Sequence, residues 1–198
     1  MIEIEALNRM SDDLSAAMAD LNEFKTLFRE ENMDLLNATA PFFFLRLREF
    51  YWYGLILAAS RFIDPAQSRG NQNLSIKLLG KYANELPARQ AEKINANLEK
   101  IEHAADIIRQ YRHKLISHRD KEMAMLSSIG LPIVFVESIE EIFETLAETL
   151  NIFHHHLEDT QVEHDSRLIL NGTDRLLHFL SLGVEAGKRG DSAEEGPG

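Results

Sequence analysis

The chain of 198 residues predicts an all-α fold, an up-and-down helical bundle with one short irregular insertion. Three observations predict it. Apolar residues recur at three- and four-residue spacing over most of the length. Pro41, Pro65 and Pro87 stand at the edges of those periodic stretches, where they start or stop helices. The β-branched run Ile133-Val134-Phe135-Val136 is too short and isolated to build a sheet.

Taken in order, residues 11–37 form the first predicted helix, with Leu14, Met18, Leu21, Phe24, Leu27 and Leu35 on its stripe and Ser11-Asp12-Asp13 as its start. Thr39-Ala40-Pro41 ends it and opens a second helix to about Ile63. Asp64-Pro65 closes that one, because the residue before proline avoids the α region. Residues 66–73 read as a polar loop and 74–82 as a short helix. Pro87 opens a long helix striped by Ile94, Leu98, Ile101, Ala105 and Ile108, which runs into a basic decapeptide. Residues 121–137 break the pattern around a Gly130-Leu131-Pro132 turn, and Ser138 to Glu141 is a capping box that starts a helix to about Glu158. The last predicted helix covers residues 165–182. Residues 183–198, rich in Gly and charge, are expected to be a disordered tail, leaving residues 1–182 as a single helical domain.

Composition narrows the function classes. Hydrophobic residues at 44% and charged residues at 27% are ordinary for a soluble globular chain. The absence of cysteine excludes a disulfide framework and any thiolate metal site. The acidic start, Met1-Ile2-Glu3-Ile4-Glu5, is unlike a signal peptide, and a cytoplasmic protein is expected. Residues 50–59, the cleanest apolar stretch, fall far short of the ~20 residues of a membrane span. No membrane partner is expected. A net charge of −11 argues against coating nucleic acid non-specifically. Between Arg109 and Lys121, however, five cations face one carboxylate, Asp120, which suits a focused anion site as well as a basic helix end favoured by the helix dipole.

That segment, Tyr111-Arg112-His113-Lys114-Leu115-Ile116-Ser117-His118-Arg119-Asp120, carries the chemistry. A neutral His118 suits taking the proton of a ribose 2′-OH or giving one to a 5′-oxygen, and Arg112 suits clamping the phosphate. On a straight helix the two side chains point ~120° apart and lie ~9 Å apart along the axis. Either the helix distorts near Ser117, or a second subunit completes the site across a two-fold axis. His113 and Ser117 share a face. Arg61 and Asp64, three apart at a helix end, either pair with each other or place Arg61 beside the motif helix as a further phosphate ligand. His154, His155 and His156 offer the pairs His154–Glu158 and His155–Asp159 to a metal, but read better as an exposed helix end. The run of Phe42, Phe43, Phe44, Phe50, Tyr51, Trp52 and Tyr53 reads as core. No metal and no cofactor is expected.

Arg112-His113 followed by His118 resembles the signature of the HEPN superfamily, in which Arg, a polar residue, a short spacer and His stand in that order. Arg119-Asp120 fits the ending common there, with Ser117 where Ala is usual. Tyr51 to Asp64 with Asn73 to Leu79 is similar to the abortive-infection AbiU-type branch, so that the likeness spans about residues 42–120. The resemblance implies a helical bundle dimerising through its motif helices. It implies a metal-independent endoribonuclease of phage defence or a toxin, leaving 2′,3′-cyclic phosphate ends. Arg112 and His118 are then the catalytic pair, with His113 orienting them. Lys114, Ser117, Arg119, Asp120, Arg61 and Asp64 are the candidate substrate-binding residues. An antitoxin or other regulatory protein is the implied partner beside RNA and a second copy. A non-catalytic HEPN-type dimer binding a partner protein, nucleotide or RNA is the alternative, and a regulatory helical dimer binding a small anion a third.

Overall fold

The computed structural model describes residues 2–112, 134–164 and 172–194, and within them the fold is all-α, with a two-stranded hairpin of two residues a strand. Helix α1 (Ile4–Leu27) begins seven residues before Ser11 because the apolar stripe extends back through Leu7 and Met10, both buried. Ser11 is therefore a buried interior residue and not a cap. The expected single helix over 11–37 is broken. A 3-10 turn (Glu30–Asn32) follows α1 and leads into α2 (Met33–Thr39). On an unbroken helix, nine residues turn ~900°, which would set Leu36 on the opposite side from Leu27. The break brings both into one buried cluster with Phe44. Asn32 fixes it by donating from Nδ2 to the Thr26 carbonyl at 2.8 Å.

Helix α3 (Pro41–Ile63) starts and stops where the two prolines predict. The expected loop at 66–73 contains strands β1 (Gln67–Ser68) and β2 (Asn71–Gln72), antiparallel with Gln67 opposite Gln72. Arg69 at φ 49° and Gly70 at φ 87° make the two-residue turn, both in the left-handed region as a type I′ turn demands. Helix α4 (Ile76–Tyr82) and a 3-10 turn (Ala83–Glu85) precede α5 (Ala88–Tyr111), capped by Pro87. α4 lies close on α5 at Gly80, where an added Cβ would meet Leu98 Cδ1 at 2.6 Å.

Helix α6 (Val136–Glu158) starts two residues before Ser138, with Phe135 in extended backbone as its N-cap. The capping box is thus displaced: Ser138 lies inside the helix and donates its N–H to Phe135 O at 3.1 Å. Asp159, at φ 51°, ends it. Helix α7 (Thr173–Glu194) is opened by Glu23, whose carboxylate accepts from the Thr173 N–H at 2.7 Å. It continues past Leu182 to Glu194, into the stretch expected to be a tail, and residues 183–189 are exposed except for half-buried Val184.

Two compact units are formed. One comprises Met1–Met18 with Tyr53–Arg167, the other Ala19–Trp52 with Leu168–Gly198. In the first, α5 packs on α6 and α4 on α5, Phe62 meets Phe143 edge-on at 6.2 Å, and Asn97 Nδ2 donates to Thr149 Oγ1 at 3.0 Å in the core. In the second, α2 packs on α7 around the Leu27–Leu36–Phe44 cluster. The aromatic run read as core is core at Phe44 alone. Phe42, Phe43 and Phe50 are exposed, at 75%, 59% and 64%, while Tyr51, Trp52 and Tyr53 are half-buried. The run is longer than one helical face, so consecutive rings must point apart. Burial, with the charges of Glu23 and Asp20, pushes the Tyr51 phenol up. Among the described residues, no helix is long and apolar enough to cross a membrane.

Candidate functional site

The last turn of α5 lies against the C-terminus of α3, and ion pairs set the register. Arg109 donates from Nη2 to the Ile63 carbonyl at 3.1 Å, satisfying one of the carbonyls that a helix end leaves unpaired. Its Nη1 meets Asp106 at 2.8 Å and Glu102 at 3.3 Å, and Glu102 also takes Lys77 of α4 at 3.1 Å. Burial opposes ionisation of Glu102, but the hydrogen bonds and charges of Lys77 and Arg109 outweigh it and hold the carboxyl below its usual range.

Three residues on from Arg109, Arg112 continues the same face. Its Nη1 reaches both oxygens of Asp64, at 2.9 and 3.1 Å. Both side chains are about three-quarters buried or a little less, at 30% and 25% exposure. Asp64 is the residue that ends α3 before Pro65, so the helix stop and the anchor of the motif arginine are one side chain.

Arg61 and Asp64 do not pair with each other. Arg61 turns to Asp13 of α1 at 3.2 Å, and Arg9 lies 3.5 Å from the same carboxylate. Beside them opens a cavity of about 270 Å³, lined by Met10, Asp13, Arg61, Phe62, Asp64, Gln72, Asn73 and Leu74. The hairpin supplies one wall and is held by Asn73, which donates Nδ2 to Pro65 O at 2.6 Å and its N–H to Ala66 O at 3.0 Å.

Of the sequence-predicted site residues, Arg112, Asp64 and Arg61 thus gather at one end of α3. His113, Lys114, Ser117, His118, Arg119 and Asp120 lie outside the described residues. Sequence reasoning missed Asp13, Arg109 and Glu102. The spacing of Asp13 from Arg61, 48 residues, leaves no local trace.

The histidine run divides in a way its spacing does not foretell. His154 is buried and not part of an exposed end. Its Nε2 lies 2.7 Å from Ser11 Oγ and its Nδ1 3.0 Å from Glu158. His155 is exposed and pairs with Asp159 at 3.3 Å. Among the described residues, no three His, Asp or Glu side chains gather as a metal site would require.

The family model for AbiU2, of HEPN type, matches residues 4–171, which takes in α1 through α6 and the whole Arg112 to Asp120 segment. No curated protein and no solved structure matches. The chain belongs to the AbiU2 family of abortive-infection HEPN-type proteins.

Proposed function

We propose that this protein is a metal-independent endoribonuclease, a phage-defence or toxin effector that works as a homodimer in the bacterial cytoplasm under the control of an antitoxin or other regulatory protein. The observation that carries the reading is the anchored guanidinium. Asp64 holds Arg112 by its Nη1, at 2.9 and 3.1 Å from the two carboxylate oxygens, so that this end of the planar fork is fixed from within the protein. A guanidinium so fixed suits a phosphate, because its geometry is set before substrate arrives. Neutral His118 removes the 2′-OH proton, the 2′-oxygen attacks the adjacent phosphorus, and the P–O5′ bond breaks. The 5′-oxygen leaves with the proton that the His118 imidazolium gives back, and a 2′,3′-cyclic phosphate remains. Arg112 stabilises charge on the pentacoordinate phosphorus. His113 orients the pair, and Lys114, Ser117, Arg119 and Asp120 line the substrate path.

The test is cleavage of single-stranded RNA in EDTA by wild type, Arg112→Ala and His118→Ala. Wild type should yield cyclic-phosphate ends. The Arg112 variant should lose roughly 10²–10³-fold and the His118 variant roughly 10²–10⁴-fold, with fold retained. Full activity in His118→Ala overturns the mechanism.

The second reading is a non-catalytic dimer that binds a partner protein, nucleotide or RNA. The net charge of −11 favours it, since most of the surface repels RNA. RNA binding without turnover by the wild type, across pH and salt, would select it.

A further inference from the structure

We propose that the cavity beside Asp64 is a nucleobase subsite that accepts guanine, so that base identity is read next to the phosphate held by Arg112. This deepens the ribonuclease reading and rests on it for its place in the reaction.

The cavity is built as a base pocket is built. At about 270 Å³ it falls just under the roughly 300 Å³ at which pockets for drug-sized ligands begin, which suits one heterocycle and not a dinucleotide. Met10, Phe62 and Leu74 give it apolar walls, and Asp13, Arg61, Gln72 and Asn73 give it a polar edge. Its lining charges are two carboxylates and one guanidinium, and Arg112 and Arg9 hold those same carboxylates from beside it, so the charges are already paired and a neutral base is the part of a nucleotide that fits. The phosphate then stays with Arg112, which shares Asp64 with the cavity.

The polar edge selects the base. Asp13 and Arg61 sit 3.2 Å apart and present an acceptor beside a donor fork. Guanine carries the complement: N1–H and N2–H₂ donate towards the carboxylate, while O6 and N7 accept from the guanidinium. Adenine offers Asp13 one donor group, N6–H₂, and Arg61 one acceptor, N7, where guanine offers two of each. Asp13 and Arg61 are exposed enough, at 27% and 70%, to exchange their mutual contact for the base without rearrangement of the core. Arg61 thus acts on the base and not as a further phosphate ligand. Asn73, whose Nδ2 donates to Pro65 O, holds the hairpin wall in place.

The experiment measures equilibrium binding of 3′-GMP and 3′-AMP to the full chain by calorimetry, for wild type, Asp13→Asn and Arg61→Ala. In parallel, it maps cleavage of oligonucleotides that differ in one base beside the scissile phosphate. Wild type should bind 3′-GMP at least roughly tenfold more tightly than 3′-AMP, and both substitutions should erase that preference while the helical circular dichroism stays unchanged. Equal binding of the two nucleotides, no binding of either, or a preference that survives both substitutions overturns the inference. A guanine preference lost in Asp13→Asn, with no cleavage of any oligonucleotide, keeps the subsite and overturns the ribonuclease. Cleavage indifferent to the base, with equal nucleotide binding, does the reverse.

Discussion

Thr149 shows how much one hydroxyl can hold in this interior. It is fully buried, donates to the Thr145 carbonyl at 2.8 Å, and accepts from Asn97 Nδ2 at 3.0 Å, so it ties α6 to α5 while satisfying a buried amide. Thr149→Val keeps the shape and removes the acceptor. The buried Asn97 amide then carries its desolvation without return, and urea unfolding should show a loss of about 1–3 kcal/mol. A change within error would mean that Asn97 finds another acceptor. Ser11 and His154 carry the same lesson from the other side. As sequence, Ser11-Asp12-Asp13 reads as a helix start, and His154 as one of an exposed run. Across 143 residues they meet at 2.7 Å in the buried interior, and neither role is visible until the partner is.

At the scale of elements, the ends of α3 were readable because they are local. Pro41 fixes φ at the first turn and Asp64-Pro65 forbids continuation, whatever packs nearby. The end of α1 was not, because Leu14 to Leu35 keeps helical period through the break. The demand that Leu27 and Leu36 face one cluster comes from packing and not from period. The junction of α3, α4 and α5 was likewise hidden: Lys77, Glu102 and Arg109 each look like solvated charges, yet together they bind α4 to α5 and cap α3. This junction has a pH signature. Glu102 has a lowered folded value, so the native state binds fewer protons than the unfolded chain just below the ordinary carboxylate range. Its contribution is complete above the unfolded value and is lost as pH falls through the folded one. Glu102→Gln should therefore flatten the acid side of the stability curve. The loss near neutral pH should stay under about 1 kcal/mol, since the carboxylate is half-exposed. Thermal melts from neutral pH down to the acid range would measure it, and an unchanged acid limb would place the sensitivity elsewhere.

For the whole molecule, the strongest constraint is how little cationic surface an acidic chain offers to RNA. On the proposed ribonuclease reading few phosphate contacts are available, and a two-fold axis would concentrate the catalytic groups at one place. The same conclusion follows from the helix. If α5 continues straight beyond Tyr111, Arg112 and His118 point ~120° apart and cannot meet one phosphate within a protomer. Arg112 of one copy must then act with His118 of the other. Exposed Phe42, Phe43 and Phe50 offer apolar surface of the kind that buries on self-association. This arrangement has a consequence that a single-protomer site cannot imitate. Arg112→Ala and His118→Ala chains, each inactive alone, form on co-expression mixed dimers in which one of the two sites holds both an intact arginine and an intact histidine. With random pairing half of the dimers are mixed, and about one quarter of wild-type activity should return. Recovery of that size, with each variant inactive by itself, would establish a site shared between protomers. Absence of recovery, with mixed dimers confirmed by mass, would mean that the helix bends beyond Arg112 and that each protomer carries its own complete site.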